Sequence, residues 1–215
     1  MSYKYVIFDL DGTLLNTLDD IRDSLNRTLA LYGLREQTAE EVRSHVGNGS
    51  GRLVELSIPD GKQNPLFTDI LRDYGAWYNA HCRIKTRPYD GVPQLVDDLT
   101  ARGIRCAIVS NKPDAAVRSL AADIFPGRMD VAVGDSEGVR RKPAPDTVLK
   151  AMAQLGADSG SAVYVGDSEV DVATAANAAI PCVAVTWGFR TREQLIAAGA
   201  RTLADTPEQV KAIIL

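Results

Sequence analysis

The chain has 215 residues, 45% of them hydrophobic and 24% charged, with a formal net charge of −4. That length supports one large domain or two small ones with an ample core. The mild acidity excludes an extended nucleic-acid or anionic-membrane surface, but leaves room for a local basic site that takes a small anion. No apolar run reaches the roughly 18 residues that a membrane-spanning helix needs. The apolar run starting at Tyr5 leaves no length for a signal peptide ahead of it. Cys82, Cys106 and Cys182 have no paired spacing, which argues against a disulfide framework or a zinc site. A cytoplasmic protein is expected.

The first element is Tyr5-Val6-Ile7-Phe8, an apolar run that leads directly into Asp9-Leu10-Asp11-Gly12. A short unbroken apolar run bounded by a turn signal reads as a strand buried on both faces. Alternation along an extended strand puts Asp9 and Asp11 on one side. Gly12 allows a sharp turn and a close backbone approach. Two like charges this close are costly without a cation or a shared proton. The pair therefore calls for a metal ion and for different tasks on the two acids.

Residues 16–85 read as helical. Leu18, Ile21, Leu25, Leu29 and Tyr32 recur at three- and four-residue steps, and Gly33 ends that helix. Thr38 and Glu41 suit a capping box. Gly47-Asn48-Gly49-Ser50-Gly51-Arg52 reads as the most flexible stretch, an interhelical loop that could present Arg52 or His45 to an anionic tail. Pro65 can open a third helix, whose stripe of Phe67, Ile70, Leu71, Tyr74, Trp77 and Tyr78 reads as core.

After residue 91 the pattern alternates. Helices are expected over 92–101, 115–124, 145–155, 170–179, 191–198 and 207–215, and strands over 106–109, 131–133, 162–165 and 182–185. Strands alternating with helices of about 10 to 15 residues mean parallel crossovers, hence an α/β, doubly wound parallel sheet. The expected division is an α/β core from 1–15 and 86–215, with 16–85 as an α-helical insertion. Ligands bind off the carboxyl ends of the strands in such sheets. Asp9 and Asp11, Ser110-Asn111, and Gly166-Asp167-Ser168 all fall at that rim.

These residues suit phosphate chemistry. A carboxylate such as Asp9 can attack phosphorus in line. A divalent cation screens the negative nucleophile from the negative substrate, and magnesium favours oxygen ligands such as Asp9 and Asp167. Asp11 could protonate the leaving alkoxide and later deprotonate water. Ser110 and the amide of Asn111 could hold phosphoryl oxygens. Thr13 is expected to stabilise the turn, and Asp171 to support the site from the first turn of the next helix. Lys112, Arg140, Arg141 and Lys142 are all candidates for the cation that neutralises the phosphoryl group.

Asp9-Leu-Asp-Gly-Thr-Leu-Leu15 resembles the first motif of the haloacid dehalogenase superfamily in its phosphatase form. Ser110-Asn111, Lys142-Pro143 and Gly166-Asp-Ser-Glu-Val-Asp171 follow in that family's order. The resemblance spans essentially the whole chain and implies a Rossmann-like core. It also implies Asp9 as nucleophile, Asp11 as general acid/base, and the Asp11 backbone carbonyl as a further Mg2+ ligand. It selects Lys142 as the phosphate-neutralising cation, and implies that Asp171 orients the site and that the insertion is a small helical cap. Its phosphoglycolate phosphatase-like members suggest a small phosphorylated metabolite as substrate, 2-phosphoglycolate first, and a monomer or homodimer. Many of them carry an acid where this chain has Asn16, an amide shared with pyrophosphatase-like relatives. Pyrophosphate hydrolysis and β-phosphoglucomutase-like transfer are the enzymatic alternatives. A receiver-like phosphoacceptor module is the non-enzymatic one, disfavoured by chain length and by the insertion.

Overall fold

A computed structural model describes residues 3–215. The chain opens with β1 (Tyr5–Phe8) and the short β2 (Leu15–Asn16). Four helices follow: α1 (Leu18–Leu31), α2 (Ala39–His45), α3 (Gly49–Ser57) and α4 (Phe67–His81). Then come β3 (Arg87–Pro88), α5 (Val92–Ala101), β4 (Arg105–Pro113), α6 (Asp114–Ile124), β5 (Val131–Asp135) and α7 (Asp146–Leu155). The chain closes with β6 (Ala162–Gly166), α8 (Glu169–Asn177), β7 (Cys182–Val185), α9 (Arg192–Ala197), β8 (Thr202–Ala204) and α10 (Pro207–Ile214). It divides into two compact units, one formed by the chain up to Leu15 and from Pro88 onward, the other by Asn16–Arg87.

The first unit is built on a six-stranded sheet ordered β5-β4-β1-β6-β7-β8, with every described pair parallel. Residue alternation decides which helices each face takes. Val6, Phe8, Cys106, Ile108, Val163 and Val165 point to a layer shared with α5, α6 and α10. Ile7, Ala107, Val109, Ala162 and Tyr164 point the other way, against Val148, Ala151 and Met152 of α7 and Ala175 of α8. Both faces are covered, which is why the strands read as continuous apolar runs rather than alternating ones. β8 lies outside the expected strands. It has three residues at the sheet edge, too short to produce an apolar run.

The second unit is helical. Leu25 and Leu29 of α1, Val42 of α2, Leu53 and Val54 of α3, and Ile70, Tyr74 and Tyr78 of α4 are buried. The Thr38 hydroxyl accepts the Glu41 N–H and the Glu41 carboxylate accepts the Thr38 N–H, so the expected capping box is present. Phe67, Leu71 and Trp77 of the expected core stripe are only half-buried, and the Arg27 guanidinium lies 3.4 Å from the Trp77 ring centre. Asp20 accepts the main-chain N–H groups of Lys85 and Thr86 and the Thr86 hydroxyl, tying the start of this unit to its end. The expectation of a flexible loop over 47–52 is corrected. Gly49–Arg52 form the first turn of α3, and only Gly47-Asn48 precede it. Burial of Leu53, Val54 and Ser57 on one face outweighs the roughly 1 kcal/mol that a glycine such as Gly51 costs in a helix. Arg52 pairs with Glu55 at 3.0 Å, and His45 meets the Ser57 hydroxyl at 3.1 Å. Among the described residues no helix is long and apolar enough to cross a membrane.

Candidate active site

β1 lies between β4 and β6, so its carboxyl end is flanked by theirs. Asp9 continues the ladder by donating its N–H to the Val165 carbonyl at 2.9 Å. Its side chain then emerges at the rim, 7% exposed. The Gly166-Asp167-Ser168 turn ends β6 beside it. α8 starts directly after, with Ser168 as its cap: the Ser168 hydroxyl faces the Asp171 N–H, and the Asp171 carboxylate accepts the Ser168 N–H at 3.1 Å and its hydroxyl at 2.6 Å. This reciprocal cap brings Asp171 back toward the strand ends, fully buried.

Lys142 joins these elements. Its Nζ lies 2.8 Å from Asp9 Oδ1 and 2.8 Å from Asp171 Oδ1. It also donates to the Tyr164 hydroxyl at 3.1 Å, which in turn donates to Asp171 at 2.8 Å. The Lys142 main chain is gripped on both sides by the Asn111 side chain, which accepts its N–H at 2.8 Å and donates to its carbonyl at 3.1 Å. Asn111 therefore serves the site by holding Lys142. Arg140 and Arg141, the other basic residues of that loop, pair with Asp146 and Asp135 at the surface.

The register of β4 against β5 shifts between Val109 and Pro113. Such irregularities re-aim side chains next to functional sites. Here Ser110 and Lys112 both turn to Asp11. Lys112 Nζ lies 2.7 Å from Asp11 Oδ1, and the Ser110 hydroxyl approaches Oδ2 at 3.5 Å while accepting the Lys112 N–H at 3.2 Å. The carboxylate of Asp11 thus has its own ammonium, whereas Asp9, Asp167 and Asp171 offer oxygens that all lie within 4.8 Å of one another.

Asp167 accepts the Thr13 hydroxyl at 2.9 Å and the Phe189 N–H at 2.8 Å. Gly12, at φ +91°, passes so close that a Cβ there would collide with the Asp167 carboxylate. A Cβ on Gly188 would collide with the Asp167 side chain and the Gly12 carbonyl. Glycine is required at both positions, by φ at the first and by contact at each.

Three carboxylates around one ammonium leave two negative charges unbalanced in a buried cluster. The proton affinities carry that strain. Burial, then the Asp171 and Asp167 charges, push Asp9 well above the usual carboxylate range against the pull of Lys142. Burial and Asp171 push Asp167 up to about 7. Burial also pushes Asp171 upward, but Lys142 and the Ser168 and Tyr164 hydroxyls outweigh it, and Asp171 ends below its ordinary value. Burial opposes the charge on Lys142, yet Asp171 and Asp9 raise it. An oxygen-only donor set with a deficit of two positive charges fits a hard divalent cation.

Sequence reasoning missed Tyr164, which hides in an apolar strand, and the segment Trp187-Gly188-Phe189. That segment acts through an indole N–H, a missing Cβ and a main-chain N–H. Gly188 after Trp187, next to a strand end, was the only available signal.

The profile of the haloacid dehalogenase-like hydrolase family matches residues 6–185. The chain is 35% identical over 211 residues to phosphoglycolate phosphatase of Rhodospirillum rubrum, covering 94% of this chain and 87% of that protein. It is 29% identical over 212 residues to N-acetylmuramic acid 6-phosphate phosphatase of Pseudomonas aeruginosa, covering 98% and 94%. A solved structure from Lactobacillus delbrueckii subsp. bulgaricus superposes with a TM-score of 0.96 at 36% identity, over 100% of this chain and 99% of that one. The chain belongs to the haloacid dehalogenase-like hydrolase family and is a phosphomonoester hydrolase of its phosphoglycolate phosphatase-like branch.

Proposed function

We propose that the protein is a Mg2+-dependent phosphohydrolase that cleaves a small phosphomonoester, 2-phosphoglycolate first, through an aspartyl-phosphate on Asp9. The observation that carries this reading is the buried cluster itself: Asp9 at a central strand end, held by Lys142 and grouped with Asp167 and Asp171. Asp9, Asp167 and the Asp11 carbonyl would hold the cation, with Asp171 supporting them. When bound, the cation supplies charge neutralisation between nucleophile and phosphate.

The chain's own residues do the rest. Lys142 keeps Asp9 Oδ1 in place and faces the phosphoryl group with positive charge. The Ser110 hydroxyl and the Asn111 main-chain N–H hold phosphoryl oxygens, while the Asn111 side chain stays on Lys142. As Asp9 attacks, the bond from phosphorus to the leaving oxygen breaks and Asp11 delivers its proton there. Asp11 then takes a proton from the water that releases phosphate. Lys112 holds Asp11 Oδ1 at 2.7 Å, and the longer 3.5 Å contact from the Ser110 hydroxyl makes Oδ2 the oxygen for this proton traffic. The helical unit 16–87 is the cap that selects substrate and excludes water. The protein works in the cytoplasm as a monomer or homodimer.

The test is phosphate release from a panel of 2-phosphoglycolate, N-acetylmuramic acid 6-phosphate, sugar phosphates and pyrophosphate, with and without Mg2+. Release that peaks on 2-phosphoglycolate and stops on chelation is expected. Chelator-resistant release would refute the metal role, and a peak on another compound would replace the substrate.

The cluster also fixes a pH dependence. Asp9 and Asp167 bind protons more tightly folded than unfolded; at Asp167 the folded metal-free protein keeps, from pH about 4 to about 7, a proton that the unfolded chain has lost. Its stability contribution falls as pH rises through that window. Asp171 has the opposite sign and acts only below it. Mg2+ competes with those protons, so it should raise the melting temperature more at pH 8 than at pH 5. An equal gain at both pH values would contradict the coupling.

A further inference from the structure

The two oxygens of Asp167 are held by two different segments, and those segments are fastened to each other. The Thr13 hydroxyl, from the turn after β1, takes Oδ1, and the Phe189 N–H, from the loop after β7, takes Oδ2. Between them the Trp187 indole N–H donates to the Thr13 carbonyl at 3.0 Å. Gly188 closes the gap, its Cα side pressed against both Asp167 and the Gly12 carbonyl. Arg190 fastens the far end of the same loop to α8 through a two-pronged pair with Glu169, at 2.7 and 3.1 Å. The half-buried Trp187 packs against the buried layer that the sheet shares with α5, α6 and α10.

We propose that Trp187 and Thr13 form a positioning relay that sets how tightly the site binds its divalent cation, by fixing the plane of the Asp167 carboxylate. The proposal rests on the metal reading given above. The torsion that turns an aspartate carboxylate is broad and soft. With one lone pair of each oxygen engaged, the plane is fixed and the remaining lone pairs point one way. Without the indole bond, the turn after β1 and the loop after β7 lose the link that keeps Thr13 and Phe189 on opposite sides of Asp167. Partners that orient a ligand in this manner typically change metal affinity 10- to 100-fold. The relay acts through Asp167, so Trp187 is a positioning residue and its effect appears before any chemistry.

Trp187→Phe keeps most of the ring and removes the N–H. Chelator-treated wild type, Trp187→Phe and Thr13→Val are melted across a MgCl2 titration. The expected result is a Mg2+ concentration for half-maximal stabilisation raised about 10-fold or more in both variants, with metal-free melting temperatures near that of wild type. An unchanged Mg2+ midpoint in both variants would overturn the relay, including the case in which only the metal-free melting temperature falls. If Trp187→Phe does not fold, Thr13→Val decides. If wild type itself shows no Mg2+-dependent shift, the metal reading fails and the relay with it, which distinguishes that failure from a relay that does not act.

Discussion

Asp9→Asn should lower phosphate release by about 10⁴-fold or more while leaving the protein folded. The amide has nearly the shape of the carboxylate but cannot attack phosphorus. Stability follows a separate logic. Asp9 is buried among like charges and holds its proton well above the usual carboxylate range, so a neutral side chain suits the metal-free site. The metal-free variant should melt at or above the wild-type temperature, although the catalytic group is gone. Affinity for Mg2+ should fall in parallel, because one ligand is lost. A phosphate-release assay and a melting curve check both halves. Turnover near the wild-type rate would remove Asp9 as nucleophile, and a large loss of metal-free stability would contradict the charge balance of the cluster.

The second large effect is at Lys142. Lys142→Ala strips the ammonium from between Asp9 and Asp171, in a buried place: Lys142 is 4% exposed and Asp171 0%. Leaving a buried charge without its partner typically costs about 3–5 kcal/mol. Loss of the positive charge facing the phosphoryl group should cost about 10²- to 10³-fold in rate. The adjacent Arg141 pairs with Asp135 at the surface, and Arg141→Ala should change stability by no more than about 1 kcal/mol and leave the rate close to wild type. The stability loss at Lys142 should also be smaller at pH 5 than at pH 8, because Asp167, pushed up to about 7, carries its proton at the lower pH and needs the ammonium less. Denaturant unfolding at the two pH values, with steady-state rates, tests this. Equal effects at positions 141 and 142 would mean that the wrong cation was assigned.

The sheet was legible because both its faces are covered: Val6-Ile7-Phe8, Cys106–Val109 and Ala162–Val165 need no polar side and stand out as continuous apolar runs. β8 was not legible, since an edge strand of three residues leaves no such run. The start of α3 was misread because glycine spacing speaks of backbone freedom, whereas the helix there depends on Leu53 and Val54 being buried. At the site, Asp9, Asp11 and Asp167 could be picked out because they follow apolar strands directly and fall at the rim where ligands bind, and Asp171 because it lies four residues beyond Asp167, within reach from the first turn of the next helix. Which acid pairs with which base could not be read. The Lys112–Asp11 pair beside the β4 irregularity, and the cap that returns Asp171 to Lys142, are local geometry and not composition. Tyr164 looks like any core aromatic until its hydroxyl is seen between Lys142 and Asp171. The contribution of Phe189 is a main-chain N–H, which every residue but proline has.

The central claim is that Asp9 carries the phosphoryl group during turnover. Rapid quenching into acid during turnover of 2-phosphoglycolate or the best substrate of the panel, followed by peptide mass analysis, tests it most directly. The peptide holding Asp9 should gain the mass of one phosphoryl group, placed on Asp9 by fragmentation, and Asp9→Asn should show none. A fully active enzyme whose Asp9 stays unmodified at every quench time, or a phosphoryl group on a different residue, would contradict it.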